Sequence, residues 1–271
     1  MQKTRTIRII LAAAFFAASI ALLAVGAEKA PLLNVARQAQ ILPSALASTL
    51  GVTLFWLLTS FLCGRIYCST VCPVGTLQDI AVVLRRKTLR HRKFRFSLPR
   101  RWRYDILILY LICLVVSITT VCAVLEPWSL LANASALANP ENATGQWPVL
   151  AFGGLTGIFV SLAVLLAIVV SAAISGREFC NTFCPIGTAL GSFHEHTLLH
   201  VEIDPDKCTG CLRCEDVCSS RCIKVVSRYV DNSRCVRCFD CISVCKEDAI
   251  HFQINRNRRP ATPLLRKKKK A

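Results

Sequence analysis

The sequence has few charged residues for its length. Only 18% of its 271 residues are Asp, Glu, Lys or Arg, whereas 54% are hydrophobic, so the chain is too apolar for a soluble domain of this size. Four uncharged runs are long enough to cross ~30 Å of hydrocarbon, which takes about 20 helical residues. They comprise residues 9–25, 41–62, 106–125 and 147–174. The composition therefore predicts a membrane α-helical protein with four transmembrane helices in a lipid bilayer.

Several cofactor motifs are also missing. None of the five histidines lies inside a hydrophobic run, which excludes a bis-histidine haem b within the bilayer. There is no Cys-x-x-Cys-His for haem c, and no Gly-x-Gly-x-x-Gly opens a βαβ unit for a nicotinamide or a flavin. The single Met argues against a methionine-rich copper path. Haem and the Rossmann-type binding of a nicotinamide or a flavin are therefore not expected in this chain.

Positive charge is abundant but segregated along the chain. The net charge is +17, and the basic residues precede the first run, follow the second run and follow the fourth. Residues 26–42 hold two basic residues and residues 126–148 hold none. By the positive-inside rule, this pattern predicts a multi-pass inner-membrane protein with cytoplasmic N- and C-termini. Because no recognition module is present, the charge indicates topology and no nucleic-acid binding is expected.

One internal repeat lies in the membrane half. Residues 64–76, GRIYCSTVCPVGT, recur as residues 176–188, GREFCNTFCPIGT. Each copy begins where a run ends on the cytoplasmic side, so residues 1–200 are predicted to form two repeated hairpins, each finishing in Cys-x-x-x-Cys-Pro. This pairing favours a retained first helix, although the basic start and Val25-Gly26-Ala27 also resemble a cleavable signal peptide.

The cysteines of this repeat are candidate redox or metal ligands. Four thiols could converge at the cytoplasmic face, and four soft ligands suit an iron–sulfur cluster or Cu(I). The alternative is that Cys-Pro only ends a helix and the thiols are buried packing residues, as expected for Cys113 and Cys122. The candidate ligands are Cys68, Cys72, Cys180 and Cys184.

A second repeat carries the most specific motif. Residues 208–218 recur as residues 235–245, and both copies read Cys-x-x-Cys-x-x-Cys-x-x-x-Cys. Three thiolates of such a motif bind one 4Fe-4S cluster and the fourth binds the other cluster, whereas a zinc ribbon would have isolated Cys-x-x-Cys pairs. The spacing predicts two 4Fe-4S clusters, one bound by Cys208, Cys211, Cys214 and Cys245, and one bound by Cys218, Cys235, Cys238 and Cys241.

These motifs define the rest of the domain organisation. Short β-rich segments at 223–226 and 250–254 predict an α+β two-cluster ferredoxin-like domain over residues 201–255, whose apolar core is too thin to fold without metal. Cys222 falls where the second copy has Ala249, so we expect it to pack as a small residue; a role as an extra ligand is the alternative. Residues 256–271 are predicted to be a basic, disordered tail near anionic headgroups.

Together these motifs resemble the NapH, NosR and CcoG-like polyferredoxins, most closely the NapH type, a quinol dehydrogenase membrane component associated with periplasmic nitrate reductase. Glu126-Pro127-Trp128-Ser129 also looks like the periplasmic turn of this family. The resemblance implies electron transfer between the quinone pool and a partner, often an extrinsic ferredoxin or a multihaem cytochrome. The flavin-binding domain of the longer NosR type is missing, which argues against a regulatory role.

Two functions therefore compete. The first is an iron–sulfur oxidoreductase subunit that oxidises quinol, a reaction that releases protons and so requires a titratable group. Candidates are Glu126 on the outer side and His194, Glu195 and His196 on the inner side, although all could be ordinary surface residues. The second is a copper-handling assembly factor of the CcoG type, in which the membrane cysteines bind and reduce copper.

Overall fold

The computed structural model describes residues 2–25, 34–41, 50–88, 94–97, 101–116, 122, 124–137, 155–192 and 197–254. The predictions for the basic tail and for His194, Glu195 and His196 lie outside the described residues.

The N-terminal part is helical throughout its described segments. Its helices are α1 (Gln2–Val25), α2 (Asn34–Gln38), α3 (Leu50–Cys63), α4 (Tyr67–Thr70), α5 (Pro73–Thr88), α6 (Trp102–Val115), α7 (Pro127–Ser135), α8 (Leu155–Ser175), α9 (Glu178–Thr182) and α10 (Pro185–Ser192). Helices α1, α3, α6 and α8 correspond to the four hydrophobic runs.

Two of these helices are long and apolar enough to cross a bilayer, over Lys3–Val25 and Leu155–Ser175. Only 28% of each apolar window is buried inside the protein, so most of its hydrophobic side chains face outward. A core helix of a soluble protein would instead be enclosed. Helices α3 and α6 have 14 residues each, and residues 42–49 and 117–121, which belong to the same predicted runs, lie outside the described residues.

The segments expected to be outer loops contribute to the interior. Glu126 precedes α7, and its carboxylate accepts a hydrogen bond from the backbone N–H of Ser129, so it caps the helix. Glu126 is 1% exposed, which corrects the expectation of a surface residue. Leu130 on α7 is fully buried in the core that contains the repeat cysteines, and Gln40 donates to the carbonyl oxygen of Val71 at 3.3 Å. The described parts of both segments, residues 34–41 and 124–137, therefore pack against the Cys-Pro motifs.

The C-terminal lobe is a small α+β unit with internal symmetry. Strand β1 (Leu199–Ile203) pairs antiparallel with β4 (Ile250–Ile254), and β2 (Ile223–Lys224) pairs antiparallel with β3 (Tyr229–Val230). The short helices α11 (Arg213–Asp216) and α12 (Asp240–Val244) each contain the third cysteine of a motif. Cysteine side chains form much of the lobe's core.

Hydrogen bonds and ion pairs of arginine residues join the lobe to the N-terminal part. Arg237 is 1% exposed and donates to the carbonyl oxygen of Cys63, at the end of α3, at 3.1 Å. The backbone N–H of Arg177 donates to the carbonyl oxygen of Ser219 at 2.9 Å. Asp240 forms ion pairs with Arg5 at 2.8 Å and with Arg86 at 3.6 Å. The lobe is therefore held directly against the ends of α3 and α8, beside the Cys-Pro motifs.

Candidate metal and electron-transfer site

Each Cys-x-x-x-Cys-Pro motif is built as the start of a helix. Helices α5 and α10 both begin at the proline of the motif, where a fixed helical φ is suitable and the missing N–H is not needed. The preceding cysteine accepts a hydrogen bond from the glycine two residues after the proline. Gly187 N lies 3.4 Å from Cys184 Sγ, and Gly75 N donates to Cys72 in the same way. The second thiol of each copy is therefore placed at the positive end of a helix dipole.

The thiols of the two copies converge in one buried cluster. All four are at most 3% exposed and share one apolar core with Val71, Val74 and Leu130. The thiol of Cys72 lies close enough to the other three to interact with them electrostatically. We call this cluster the four-thiol site; its members are Cys68, Cys72, Cys180 and Cys184. The sequence left their convergence open, and the structure brings them together.

Two buried arginines cross between the copies. Arg65 of the first copy donates from Nη2 to the carbonyl oxygen of Cys180 at 2.6 Å. Arg177 of the second copy donates from Nη1 to the carbonyl oxygen of Cys68 at 2.8 Å. Both side chains are at most 1% exposed. Each arginine therefore fixes the backbone of the first cysteine in the opposite copy. This role was not predicted from the sequence, although the repeated Gly-Arg pair that opens each copy was a signal for it.

The two arginines have different partners. Arg177 Nε and Nη2 lie 2.9 and 2.6 Å from the Asp79 carboxylate, which Arg8 also contacts at 2.8 Å. Burial alone would raise the pKa of Asp79, but the guanidinium groups of Arg177 and Arg8 hold it below its usual value. Arg65 is bound only by neutral acceptors among the described residues, namely the Asn181 amide oxygen at 2.9 Å and two carbonyl oxygens.

The repeated glycine of each motif permits a close backbone approach. A Cβ at Gly75 would collide with the carbonyl oxygen of Cys68, and a Cβ at Gly187 would collide with that of Cys180. We expect Gly75→Ala to force a backbone shift that costs about 1–3 kcal/mol and lowers the melting temperature in detergent. Gly51→Ala is the control, because nothing lies within 4 Å of that position and alanine favours its helix. An unchanged melting temperature for Gly75→Ala would contradict the close packing.

The two cysteine loops of the lobe share a left-handed backbone at matching positions. Gly210 and Leu212 have φ of 75° and 64°, and their counterparts Arg237 and Phe239 have φ of 56° and 63°. Positive φ is uncommon for residues other than glycine and persists where the surroundings impose it. Loops of this kind turn successive N–H groups toward one centre, which suits an anionic group.

The eight cysteines of the lobe gather in two groups. The first group surrounds Cys214. Burial, together with three neighbouring thiols, raises the pKa of Cys214 to about 12. The second group surrounds Cys241. Burial, together with the neighbouring thiols, raises the pKa of Cys241 well above its usual value. The neighbours are Cys208, Cys211 and Cys245 in the first group, and Cys238, Cys235 and Cys218 in the second, and Cys214 of the first group also lies near Cys241. This arrangement is compatible with the two predicted ligand sets, and the division of the eight thiols between two clusters stays a prediction.

The two groups occupy different positions relative to the membrane part. Cys238 of the second group packs against the core that contains the four-thiol site and lies near the buried Arg177. Val236, 1% exposed, belongs to that same core. Cys211 of the first group is exposed on the surface of the lobe. From the membrane part outward, the order is therefore the four-thiol site, the second group and the first group.

The remaining cysteines lie outside these sets. Cys222 is 1% exposed, and its sulfur lies 3.5 Å from that of Cys218. It also forms a hydrogen bond with Cys235, so it contacts two members of the second group. Cys113 and Cys122 share a separate apolar cluster in the membrane part. The packing roles predicted for these residues are compatible with their positions, and only Cys222 touches a candidate ligand.

Two family models match the chain, and both are described as a 4Fe-4S binding domain. One covers residues 46–96 and 156–195, which include both Cys-Pro motifs, and the other covers residues 201–224. The relatives include the ferredoxin-type protein NapH of Haemophilus influenzae, 31% identical over 66% of this chain and 56% of the relative. The methylamine utilization ferredoxin-type protein MauN of Paracoccus denitrificans is 31% identical over 64% of this chain and 54% of the relative.

A third relative, an uncharacterized protein of Methanocaldococcus jannaschii, is 25% identical over 78% of this chain and 74% of its own length. By contrast, the match spans only about half the length of the NapH and MauN relatives. No solved structure matches.

Proposed function

Because the chain belongs to the NapH-like family of polyferredoxins, we propose that it is a membrane-bound iron–sulfur protein that moves electrons between the quinol pool and a redox partner. The observation that carries this proposal is the order of the two cysteine groups. They extend from the apolar core of the membrane part to a thiol on the surface of the lobe. This order suits one-electron cofactors that pass electrons between a quinol dissolved in the lipid and a redox partner in water.

In this proposal the two groups bind two 4Fe-4S clusters. When bound, such a cluster accepts and releases one electron at a time. The residues present fit it, since each group offers four thiols and a loop with left-handed turns. Because iron binds the deprotonated form of a cysteine and the ligand set exists only in the folded lobe, assembly of the clusters and folding of the lobe are linked. One set is Cys208, Cys211, Cys214 and Cys245, and the other is Cys218, Cys235, Cys238 and Cys241.

We further propose that residues 1–200 form four transmembrane helices in two hairpins, with both termini in the cytoplasm. The outward-facing apolar surfaces of α1 and α8 support insertion in a bilayer. Arg5 and Arg86 form ion pairs with Asp240 of the lobe, which supports a common side for these basic helix ends and the two cysteine groups. That side is the cytoplasm by the charge bias, and residues 201–255 are then a cytoplasmic two-cluster domain followed by a basic tail.

The functional test is anaerobic addition of menaquinol to the purified full chain in lipid vesicles. We expect the quinol to be oxidised and the electron paramagnetic resonance signal of reduced iron–sulfur clusters to appear. Cys238→Ser, next to the membrane core, should slow that reduction, whereas Cys113→Ser should not. An extrinsic ferredoxin or a multihaem cytochrome is the proposed acceptor. Failure of menaquinol to reduce any cluster in an iron-replete protein would contradict the quinol role.

Copper handling of the CcoG type is the second candidate function, and the convergence of four buried thiols favours it. Under this alternative the pre-reduced protein gives one electron to each cupric ion, so that an iron–sulfur cluster is oxidised as Cu(II) becomes Cu(I), and the reaction depends on Cys68 and Cys180. Measuring cupric reduction and menaquinol oxidation in the same membranes, with both residues changed to serine, separates the two functions. Copper reduction that needs these thiols, in the absence of quinol oxidation, would replace the first proposal.

The role of Cys222 can be tested separately. We expect Cys222→Ala to retain all the iron, because the residue packs at the edge of the second group and is not one of its four thiols. The variant should shift the midpoint potential of that cluster to more negative values, since hydrogen bonds to ligand sulfurs raise the potential. Iron analysis and a redox titration measure both effects. Loss of about four irons would instead make Cys222 a ligand.

A further inference from the structure

The two cysteine motifs of the lobe can be compared position by position. The copies begin at Cys208 and Cys235, so each residue of the first copy corresponds to the residue 27 positions later. The correspondence continues past the fourth cysteine, because Arg221 and its counterpart Asp248 both have a positive φ, of 53° and 45°. Equivalent residues of the two copies therefore belong to equivalent surfaces of the lobe.

One of these surfaces is covered by the membrane part. Val236 belongs to the core of the four-thiol site, and Cys238 packs against that core. The side chain of Asn181 donates to the carbonyl oxygen of Ser220 at 3.0 Å. We call this surface the covered face; it comprises residues 219–221 and 236–240.

The counterpart of the covered face is exposed. We call it the free face; it comprises residues 209–213 and 246–248, all of them exposed apart from Gly210. Leu212 is 45% exposed, whereas its counterpart Phe239 is 8% exposed. Cys211, the exposed thiol of the first group, belongs to the free face. An exposed apolar side chain next to a candidate cluster ligand suits a surface that docks an electron carrier.

Both positions that form ion pairs with the membrane part have the opposite charge on the free face. On the covered face, Asp240 pairs with two arginines of the membrane part, at 2.8 and 3.6 Å. Its counterpart is Arg213. Arg221 of the covered face pairs with Glu178 at 3.3 Å, and its counterpart is Asp248. Neither Arg213 nor Asp248 forms an ion pair with another residue that the structure describes.

The other exposed charges in and beside the two segments of the free face cancel each other. Lys246 and Glu247 stand where the covered face has two serines, and Asp206 and Lys207 precede the first motif. Each of these pairs has one charge of either sign. The pattern of signs on the free face, and not a net charge, therefore selects its partner.

We propose that the free face docks a soluble one-electron protein whose surface presents a carboxylate to Arg213, a basic group to Asp248 and an apolar contact to Leu212. This inference deepens the proposed function and rests on its two-cluster part, because it names the surface and the chemistry by which the redox partner binds. In each transfer, a cluster held by the first group is oxidised by one electron and the acceptor is reduced by one electron. No covalent bond forms or breaks.

The reversed signs also fix the orientation of the lobe. A lobe that docked on the membrane part by its free face would place Arg213 against Arg5 and Arg86. It would also place Asp248 against Glu178. Like charges that face each other cost free energy, so the membrane part selects the covered face. The free face then stays available for a second protein.

Cytochrome c and its lysine-succinylated form are suitable probes, because they are basic and acidic electron acceptors with the same haem. Their affinity for the full chain in detergent is measured by calorimetry at low ionic strength, where surface charges are least screened. We expect Arg213→Glu to weaken binding of the succinylated form about fivefold and to strengthen binding of the native form. Asp248→Lys should have the reverse effect. Arg221 shows that a basic residue can adopt this backbone conformation.

The rate of electron transfer gives a second measurement. The clusters are reduced with dithionite, the excess is removed, and reduction of the haem is followed for both forms of cytochrome c. The rates should change in the same order as the affinities. The matched controls are Lys87→Glu and Asp105→Lys, at exposed positions on helices of the membrane part, and both should leave affinities and rates unchanged. Every variant should keep the iron content of the wild type.

The outcomes separate this inference from the proposed function. Affinities and rates that respond no more to the two charge reversals than to the controls would overturn the free face, while clusters that menaquinol still reduces would leave the proposed function intact. Dimers of the full chain that dissociate in Arg213→Glu would assign the face to a second copy and would also overturn the inference. If menaquinol reduces no cluster but the dithionite-reduced chain shows the expected charge dependence, the quinol role fails and the docking surface is supported.

Discussion

Cys241→Ser is expected to remove about four irons per chain and to abolish electron transfer from quinol to an external acceptor. Cys241 is 7% exposed and lies among the thiols of the second group, between the membrane core and the first group. Serine would offer iron a hard oxygen ligand at a position where the cluster requires a thiolate. Because the core of the lobe consists largely of cysteine side chains, the loss should also make the lobe sensitive to proteases.

The neighbour Cys222 provides the control for this variant, because its thiol is close enough to the second group to replace a missing ligand. The double variant Cys222→Ala, Cys241→Ser should therefore lose at least as much iron as the single variant. Iron, sulfide and reduction by menaquinol are measured in all three proteins. Full iron content in both the single and the double variant would show that Cys241 is not a ligand.

Asp79→Asn is expected to cause the largest loss of stability in the membrane part. Asp79 is the carboxylate that pairs with both Arg8 and Arg177, and the side chain of Arg177 is fully buried. Removing one member of such a network leaves a buried charge unpaired and typically costs about 3–5 kcal/mol. For a chain of this size, the melting temperature should fall by roughly 10 °C. Thermal unfolding in detergent measures the effect, and Asp105→Asn, at an exposed position of α6, is the control.

The same residue gives a pH dependence with a defined sign. The neighbouring guanidinium groups hold the pKa of Asp79 below its usual value despite burial. The stabilisation by its charged form is therefore fully present above the pKa of the unfolded chain, about 3.9. It is lost as the pH falls below that value and through the lower pKa of the folded protein. Asp79→Asn should flatten this acid limb of the stability curve. An acid limb as steep as that of the wild type would contradict the ion-pair network.

Much of this organisation could be predicted from the sequence because it depends on local patterns. Uncharged runs indicated where helices lie, and α1 and α8 confirm two of them as long apolar helices. The cysteine spacing separated eight thiols into two predicted sets, and the neighbours of Cys214 and Cys241 in the lobe are compatible with that division. Four transmembrane helices, two clusters and quinol as the carrier remain predictions.

Other features could not be predicted, because they depend on contacts between distant residues. Glu126 lies in a segment whose sequence is typical of a surface turn, yet its side chain is buried and caps a helix. Helix α7 packs against the core of the four-thiol site. The crossing of Arg65 and Arg177 joins residues 115 and 109 positions away, so neither copy of the motif shows it alone.

The sequence by itself determined which residues could be ligands, since the spacing of thiols along a loop decides which of them can reach one cluster. Only the tertiary structure decided that the two Cys-Pro motifs converge, and that the second group lies against them while Cys211 of the first group is exposed. The physical reason is that buried charge is balanced in three dimensions. Asp79 pairs with an arginine of the opposite copy, and this ion pair forms only when both copies are packed together.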